Sequence, residues 1–350
     1  MLFFYNSKAG FLSDTIDTAI PSAEINDQEI NSITVNPIPS EVRDVNYISN
    51  GDYIVECELA PIVEEDSYFE AQQQYLRALS LSGSQDRLLA FALFAPLVKE
   101  ESRLDLLLKY NEKFPNNSLV LMEAVSSCTN ISNSKCSESF IDEALVSDKE
   151  NGAMWLLSIL FFASQGNDEQ VINSIDGLVK TSFYNEKYGE RVELYVQALA
   201  GSNTTNYHTN VISGLGTEAA REIGYSHILD WCKEGVDQSI RADACLRLGR
   251  NLEKRGKTSI SQLIGVALQR FVHKAENNKE SYQALESEKL SNPMMSKSFF
   301  KASSLLYHNE KLLRNWLNNI DSIGEAESAK LLIEEAISLS QKKGNSLCTN

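Results

Sequence analysis

From about residue 67 to residue 345, apolar side chains recur every three or four positions, in about a dozen helix-length segments. Leu88, Leu89, Phe91, Ala92 and Ala95 share one such segment, with Ser84 as its N-cap and Pro96 near its end. Leu104, Leu107 and Leu108 belong to the next, which Phe114-Pro115-Asn116-Asn117 stops. Residues 119–127 follow, and then Phe140, Ile141, Ala144 and Leu145 on one face. The clearest stripes are Val171, Ile172, Ile175, Leu178 and Val179, and Tyr188, Val192, Tyr195, Val196 and Leu199. Ile260, Leu263, Ile264, Ala267, Leu268 and Phe271 make a later one, and Ala329, Leu332, Ile333, Ala336 and Ile337 the last. Ser322 and Glu325 read as a capping box ahead of this last stripe, and Gly344 as its stop. A one-sided stripe needs a neighbour to cover it, and short links force consecutive helices to run antiparallel. The pattern predicts an all-α, antiparallel helical-hairpin solenoid over residues 67–345, with a disordered tail at 346–350.

Residues 1–66 lack this period and hold four of the seven prolines. Short β-prone pieces lie at 2–5, 33–35 and 53–58, and Ser49-Asn50-Gly51-Asp52 reads as a hairpin turn. The expectation is a small β-containing head, after which Glu64-Glu65-Asp66 opens the helical body at the positive end of its first helix.

Charge separates the two parts further. The chain carries −16, and residues 1–66 hold thirteen acids against Lys8 and Arg43, a charge of −11 that leaves −5 for the other 284 residues. An acidic surface repels phosphate backbones and anionic headgroups, which argues against nucleic-acid and membrane partners. The longest apolar stretch, 154–163, is well short of the roughly 20 residues needed to span a bilayer. Residues 1–5 are apolar but follow no basic segment and stop at Asn6, so no secretory signal is evident. The chain as written is expected in the cytoplasm, or in the periplasm if its true start differs.

Four of six cysteines fall in close pairs, Cys128/Cys136 and Cys232/Cys245. Two readings stand. Bridged, each loop contributes roughly 2–3 kcal/mol and implies an oxidising compartment. Reduced, the same cysteines are small buried hydrophobes. Cys57 and Cys348 have no evident partner.

Residues 148–180 resemble a tetratricopeptide repeat. Asp148 and Asn151 stand at the pre-helix positions, Trp155 and Phe162 at first-helix packing positions and Gly166 at the turn. Val171, Ile175 and Leu178 replace the usual small residues of the second helix; the other helix pairs match poorly, so the array is degenerate. The wider stretch from about 70 to 300 is similar to a group of uncharacterised bacterial helical-repeat proteins. The similarity rests on the two cysteine pairs together with Asp148-Lys149-Glu150-Asn151 and Trp155. Members are commonly exported, and that resemblance implies both pairs are disulfides. The head resembles the N-terminal segment of phage tail-fibre assembly proteins. The matching residues are Phe3-Phe4-Tyr5, Gly10-Phe11 and Ile20-Pro21-Ser22-Ala23-Glu24-Ile25-Asn26-Asp27-Gln28-Glu29. It implies a role in tail-fibre assembly or attachment.

Motifs that carry chemistry are sparse. Gly214-Leu215-Gly216-Thr217-Glu218-Ala219 mimics a dinucleotide fingerprint, but no βαβ alternation surrounds it, and it reads as a glycine turn before a helix with Ala220, Ile223 and Ile228. Cys232 and Cys245 have no zinc-ligand spacing with His227 or His273. The four histidines, His208, His227, His273 and His308, are scattered, and no nucleophile elbow or phosphate loop is present. The acid pairs Glu64/Glu65 and Glu334/Glu335 are adjacent and read as solvated charge. Residues 155–162 read as core, with a groove-lining role for some of them as the rival. The sequence therefore assigns no catalytic residue, no cofactor site and no metal site. It points to a non-catalytic scaffold or adaptor that takes a protein or peptide partner on a concave helical surface. The rivals are a phage-derived tail-fibre assembly or attachment factor and, last, a divergent α-helical enzyme.

Overall fold

In a computed structural model, residues 53–57, 65–130, 133–202, 206–287 and 293–348 are described. Among them the chain is all-helical, with sixteen α-helices and no strand. The first seven are α1 (Glu65–Ala78), α2 (Gln85–Phe94), α3 (Arg103–Lys113), α4 (Ser118–Asn130), α5 (Glu138–Ser147), α6 (Gly152–Ser164) and α7 (Asp168–Lys180). Next come α8 (Tyr188–Leu199), α9 (Tyr207–Ala219), α10 (Tyr225–Gly235), α11 (Ser239–Arg255) and α12 (Ser259–Ala275). The last four are α13 (Lys279–Ser287), α14 (Lys297–Ser304), α15 (Glu310–Ile323) and α16 (Glu325–Lys343).

Helix starts are chosen locally. Ser102, Ser137, Asn151, Asn167, Asn206, Thr258, Ser296 and Asn309 each cap a helix through a side-chain oxygen that accepts a backbone N–H two or three residues on. Such a cap is worth about 1 kcal/mol over alanine. Helix α6 and helix α7 form an antiparallel hairpin whose turn places Gly166 at φ +67°. The buried faces are mostly those of the stripes: Val171, Ile175 and Leu178 are covered, and so are Phe162 and Tyr195, but Val179 and Leu263 are exposed. Trp155 lies half-buried over Gly177, where any Cβ would strike the indole ring, and its Nε1 donates to Lys149 O at 2.8 Å.

Two hydrophobic cores result. One joins α2–α7 with α10–α12. The other joins α8 and α9 with α14–α16 and residues 53–57. A small third cluster, with Leu76, Leu79, Ala90 and Tyr195, ties α1 and α2 to α8. In the first lobe α4, α6, α10 and α12 pack in a row, and α7 packs on α11 behind it. The chain leaves this lobe at α8 and re-enters it at α10, and α8 packs against α15, more than a hundred residues away. The stacking is thus not strictly sequential.

Several expectations need correction. Gly214 and Gly216 are inside α9, not in a turn before a helix; Gly214 lets α9 approach Tyr195 and Val196 of α8, where a Cβ would lie at 3.3 and 3.4 Å. Ile223 falls in the link to α10, and Ile228 in α10 itself. Ser322 caps nothing: it closes the last turn of α15, donating to Asn318 O at 2.9 Å, and Gly324 at φ +94° separates the two helices. Glu335 is half-buried and accepts from Asn315 Nδ2 at 3.1 Å, so it is not merely solvated charge.

Cys57 and Cys348 do have a partner, namely each other. Cys128–Cys136 and Cys232–Cys245 also sit at disulfide distance, with Cα separations of 5.5 and 5.9 Å against 5.2 Å for the long-range pair. No free cysteine remains among the described residues. Residues 53–57, part of the stretch expected to be β-prone, form no strand. They lie on α16, where Val55 N–H donates to Ser340 Oγ and Tyr53 OH to Ser340 O, both at 2.9 Å. The other head expectations, at 2–5, 33–35 and 49–52, lie outside the described residues, as do the residues that resemble tail-fibre assembly proteins. Residues Gly344–Cys348 form a short 3-10 turn in which Leu347 is buried.

The long-range bridge ties residues 53–57 to the C-terminal turn, and Ile54, Val55 and Leu347 also pack in the second core. Cys57→Ser with Cys348→Ser is expected to raise hydrogen exchange at Ile54 and Val55 by about tenfold or more, with helicity unchanged. Exchange mass spectrometry checks this; unchanged protection at 53–57 would show that Ser340 and the core contacts of Ile54 and Val55 hold the segment without the bridge.

Candidate functional site

The richest convergence of ionisable groups lies where the two lobes meet. Arg191 of α8 is 3% exposed. Its guanidinium pairs with both carboxylate oxygens of Glu218 on α9, with Nε–Oε2 at 2.8 Å, and donates through Nη1 to Glu186 O at 2.7 Å. Glu123 of α4 lies 3.4 Å from the same guanidinium and 2.6 Å from Arg221. Four charges from α4, α8, α9 and the α9–α10 link are thereby interlocked. Burial works against the charge on Arg191, but Glu218, by charge and hydrogen bond, and then Glu123 hold its pKa above the ordinary value.

Three further carboxylates in this region cap helices from a distance. Glu186, in the link between α7 and α8, accepts from Lys257 N at 3.0 Å, Thr258 N at 2.9 Å and Thr258 Oγ1 at 3.1 Å, and closely from Ser261 Oγ. It reinforces the N-terminus of α12, more than seventy residues on. Asp321 of α15 accepts from Gly189 N and Glu190 N, both at 2.9 Å. Lys187, the residue at the start of α8, has φ 57° and offers no capping oxygen, so Asp321 supplies what local sequence lacks. Glu325 accepts from Ser259 N at 2.6 Å while its own N–H donates to Lys257 O at 2.7 Å, which locks α16 to α12. Tyr225 OH bonds Ser261 Oγ at 2.7 Å and completes the network; burial, then the nearby Glu186 charge, pushes its pKa up.

Desolvation raises the pKa of Glu325 and of Asp321, against the opposing hydrogen bonds from Ser259 and from Gly189 and Glu190. For an acid raised in the folded state, the folded chain binds the proton more tightly than the unfolded one. Its contribution to stability is then full below the unfolded value, 4.5 for Glu325, and is lost as pH rises through the folded one. Glu325→Gln keeps the acceptor for Ser259 and removes the buried charge. The stability gap between this variant and wild type, read from urea unfolding at pH 4.5 and pH 7, is expected to shift in favour of the variant by about 1 kcal/mol at the higher pH. A gap independent of pH would show Glu325 to be unstrained by its burial.

Chemically the junction is self-satisfied. Its carboxylates accept from backbone amides, hydroxyls and guanidinium groups, and so it acts as a cross-brace between lobes. Two of the histidines that look scattered in the sequence do meet elsewhere: His208 and His308 stack with ring centroids 6.0 Å apart, and Tyr307 packs edge-on to His208 at 5.0 Å. Burial, then the neighbouring His308, lowers the pKa of His208. His227 is half-buried, and His273 is buried with Glu276 at 3.6 Å. No group of three metal-ligating side chains is close enough to hold an ion among the described residues. Trp155, Phe162, Val171, Ile175 and Leu178 pack in the α6–α7 hairpin, Gly166 is exposed at its turn, and all six lie outside this junction. Nothing in the local pattern marked the junction, since its members are isolated polar residues in eight different segments. Against known proteins, the chain matches no family model, no curated protein and no solved structure. Among the described residues no helix is long and apolar enough to cross a membrane.

Proposed function

We propose that this protein is a non-catalytic binding scaffold, a helical-hairpin solenoid of tetratricopeptide-like character that presents an extended helical surface to a protein partner. The observation that carries this reading is the use of the buried polar junction. Within the junction each carboxylate is committed to capping a helix or pairing an arginine, which gives rigidity and leaves none of these acids poised for proton transfer. The row of α4, α6, α10 and α12, backed by α7 and α11, supports the repeat-like part of the reading. Scaffolds of this kind bind through side chains on a rigid helical face, and the three cross-links and the junction both favour a rigid frame.

The test is crosslinking of the purified chain in the source extract, identification of the crosslinked protein, and re-formation of the pair from purified components on a sizing column. A stoichiometric complex supports the scaffold reading. Turnover of a small molecule by the chain, lost on substitution at His208 or Glu186 without loss of fold, would replace it with the enzyme reading.

A further inference from the structure

The exposed side of α11 carries an arrangement at odds with the chain's overall charge of −16. Arg250 and Lys254, one helical turn apart, are both exposed, and neither has an ion pair or hydrogen bond among the described residues. A hollow of about 280 Å³ opens on one side of this pair, toward Val179 of α7, which is 42% exposed. A second hollow of about 480 Å³ opens on the other side, toward Ala284 and Leu285 of α13, but Glu253, Gln269, His273 and Ser281 make much of its wall polar. The neighbouring cations differ in their company. Arg247 is neutralised by Asp176 and by Asp243 at 2.8 Å, but Arg255 bonds neutral atoms, Thr181 O at 3.1 Å and Thr181 Oγ1 at 3.0 Å. Three cations therefore lack a carboxylate on a protein that has acids to spare.

We infer that this ridge and the hollow at Val179 form a docking surface for an acidic, apolar-flanked peptide segment of a partner protein. Two adjacent carboxylates on the peptide would meet Arg250 and Lys254. An apolar side chain flanking them would enter the hollow at Val179. Charge complementarity selects this occupant: a ridge of cations without carboxylate partners, beside a hollow walled by Val179 and cation stems, fits acid flanked by hydrophobe. The inference rests on the scaffold reading and names its surface.

The experiment titrates the full chain into a fluorescein-labelled synthetic peptide, Ser-Gly-Leu-Glu-Glu-Leu-Gly-Ser, at 150 mM salt, and reads anisotropy. Binding that weakens at least about tenfold in Arg250→Glu/Lys254→Glu, and likewise in the milder Arg250→Gln/Lys254→Gln, is the expected result. Both variants change exposed residues, and a far-UV spectrum and thermal midpoint establish that they fold. Equal binding by wild type and variants, or none by wild type at millimolar chain, overturns the inference. So does displacement of the peptide by an equal concentration of octameric single-stranded DNA, which would make the ridge a general polyanion site. So does self-association abolished by the same substitutions, which would assign the surface to a second copy. A partner that the Glu variant still binds, with the peptide result negative, removes the ridge and leaves the scaffold reading standing; absence of any partner removes the scaffold reading itself.

Discussion

Arg191→Met is expected to destabilise the protein by about 3–5 kcal/mol, a large part of the 5–15 kcal/mol typical of a folded domain. The substitution keeps the length and apolar volume of the side chain and deletes only the guanidinium. What it leaves behind decides the size of the effect. The Glu218 side chain is 8% exposed and takes both its oxygens to Arg191, so without that guanidinium its buried charge faces Arg221 only at 3.8 Å. The carbonyl of Glu186 also loses its donor. Glu123 is partly spared because Arg221 remains 2.6 Å away. Chemical denaturation at pH 7 gives the loss. The double variant Arg191→Met/Glu218→Leu is expected to recover most of it, because a buried pair replaced on both sides by apolar groups costs little. A single-variant loss below 1 kcal/mol would mean that water reaches the junction and that the cross-brace is not closed.

Gly265→Ala in α12 is expected to cost about 2 kcal/mol, although alanine is the better helix former by about 1 kcal/mol. Helices α11 and α12 cross at Gly249 and Gly265. A Cβ on Gly265 would stand 2.5 Å from Glu253 N and 2.6 Å from Gly249 O, and one on Gly249 would stand 2.8 Å from Gly265 O. These obstacles are backbone atoms, which cannot swing aside as a side chain does. The two helices must separate, and Leu248, Leu252, Ile264 and Leu268 between them would lose close contact. Gly216 in α9 offers the opposite case. Nothing lies within 4 Å of its would-be Cβ, so Gly216→Ala is expected to stabilise by roughly 0.5–1 kcal/mol. Urea midpoints of the two variants should therefore move in opposite directions. Movement in the same direction would show that helix propensity, not the crossing, governs Gly265.

These two cases show how differently the parts of this structure are written in the chain. One helix start was legible because a cap is adjacent to the helix it opens: Ser84 stands at the N-cap of α2, although its side chain accepts no capping bond there. The stripe Val171, Ile175 and Leu178 was legible because a helix face repeats within seven residues. Ser322 misled because a serine three places before a glutamate forms a capping box only if the helix begins there. In fact α15 was still running, and Glu325 was drawn to Ser259 in another helix. Gly214 misled for the same reason, since a glycine that serves a turn and a glycine that lets two helices touch look identical until the second helix is in place, whereas Gly216 is a helical glycine with open space beside it.

The amino-acid pattern alone determined that the described part of this chain is helical and which face of its clearest helices is mostly covered. Those properties are set by interactions across a few residues, and so they are present in any window of the sequence. Tertiary structure alone decided that α8 leaves one lobe for another, that Asp321 caps a helix 132 residues upstream, and that Cys57 finds Cys348 across 291 positions. It also decided that Arg250 and Lys254 are left without carboxylates between two hollows. Such pairings depend on which helices pack together, a choice that follows from how all the faces fit at once and that no periodicity along the chain records.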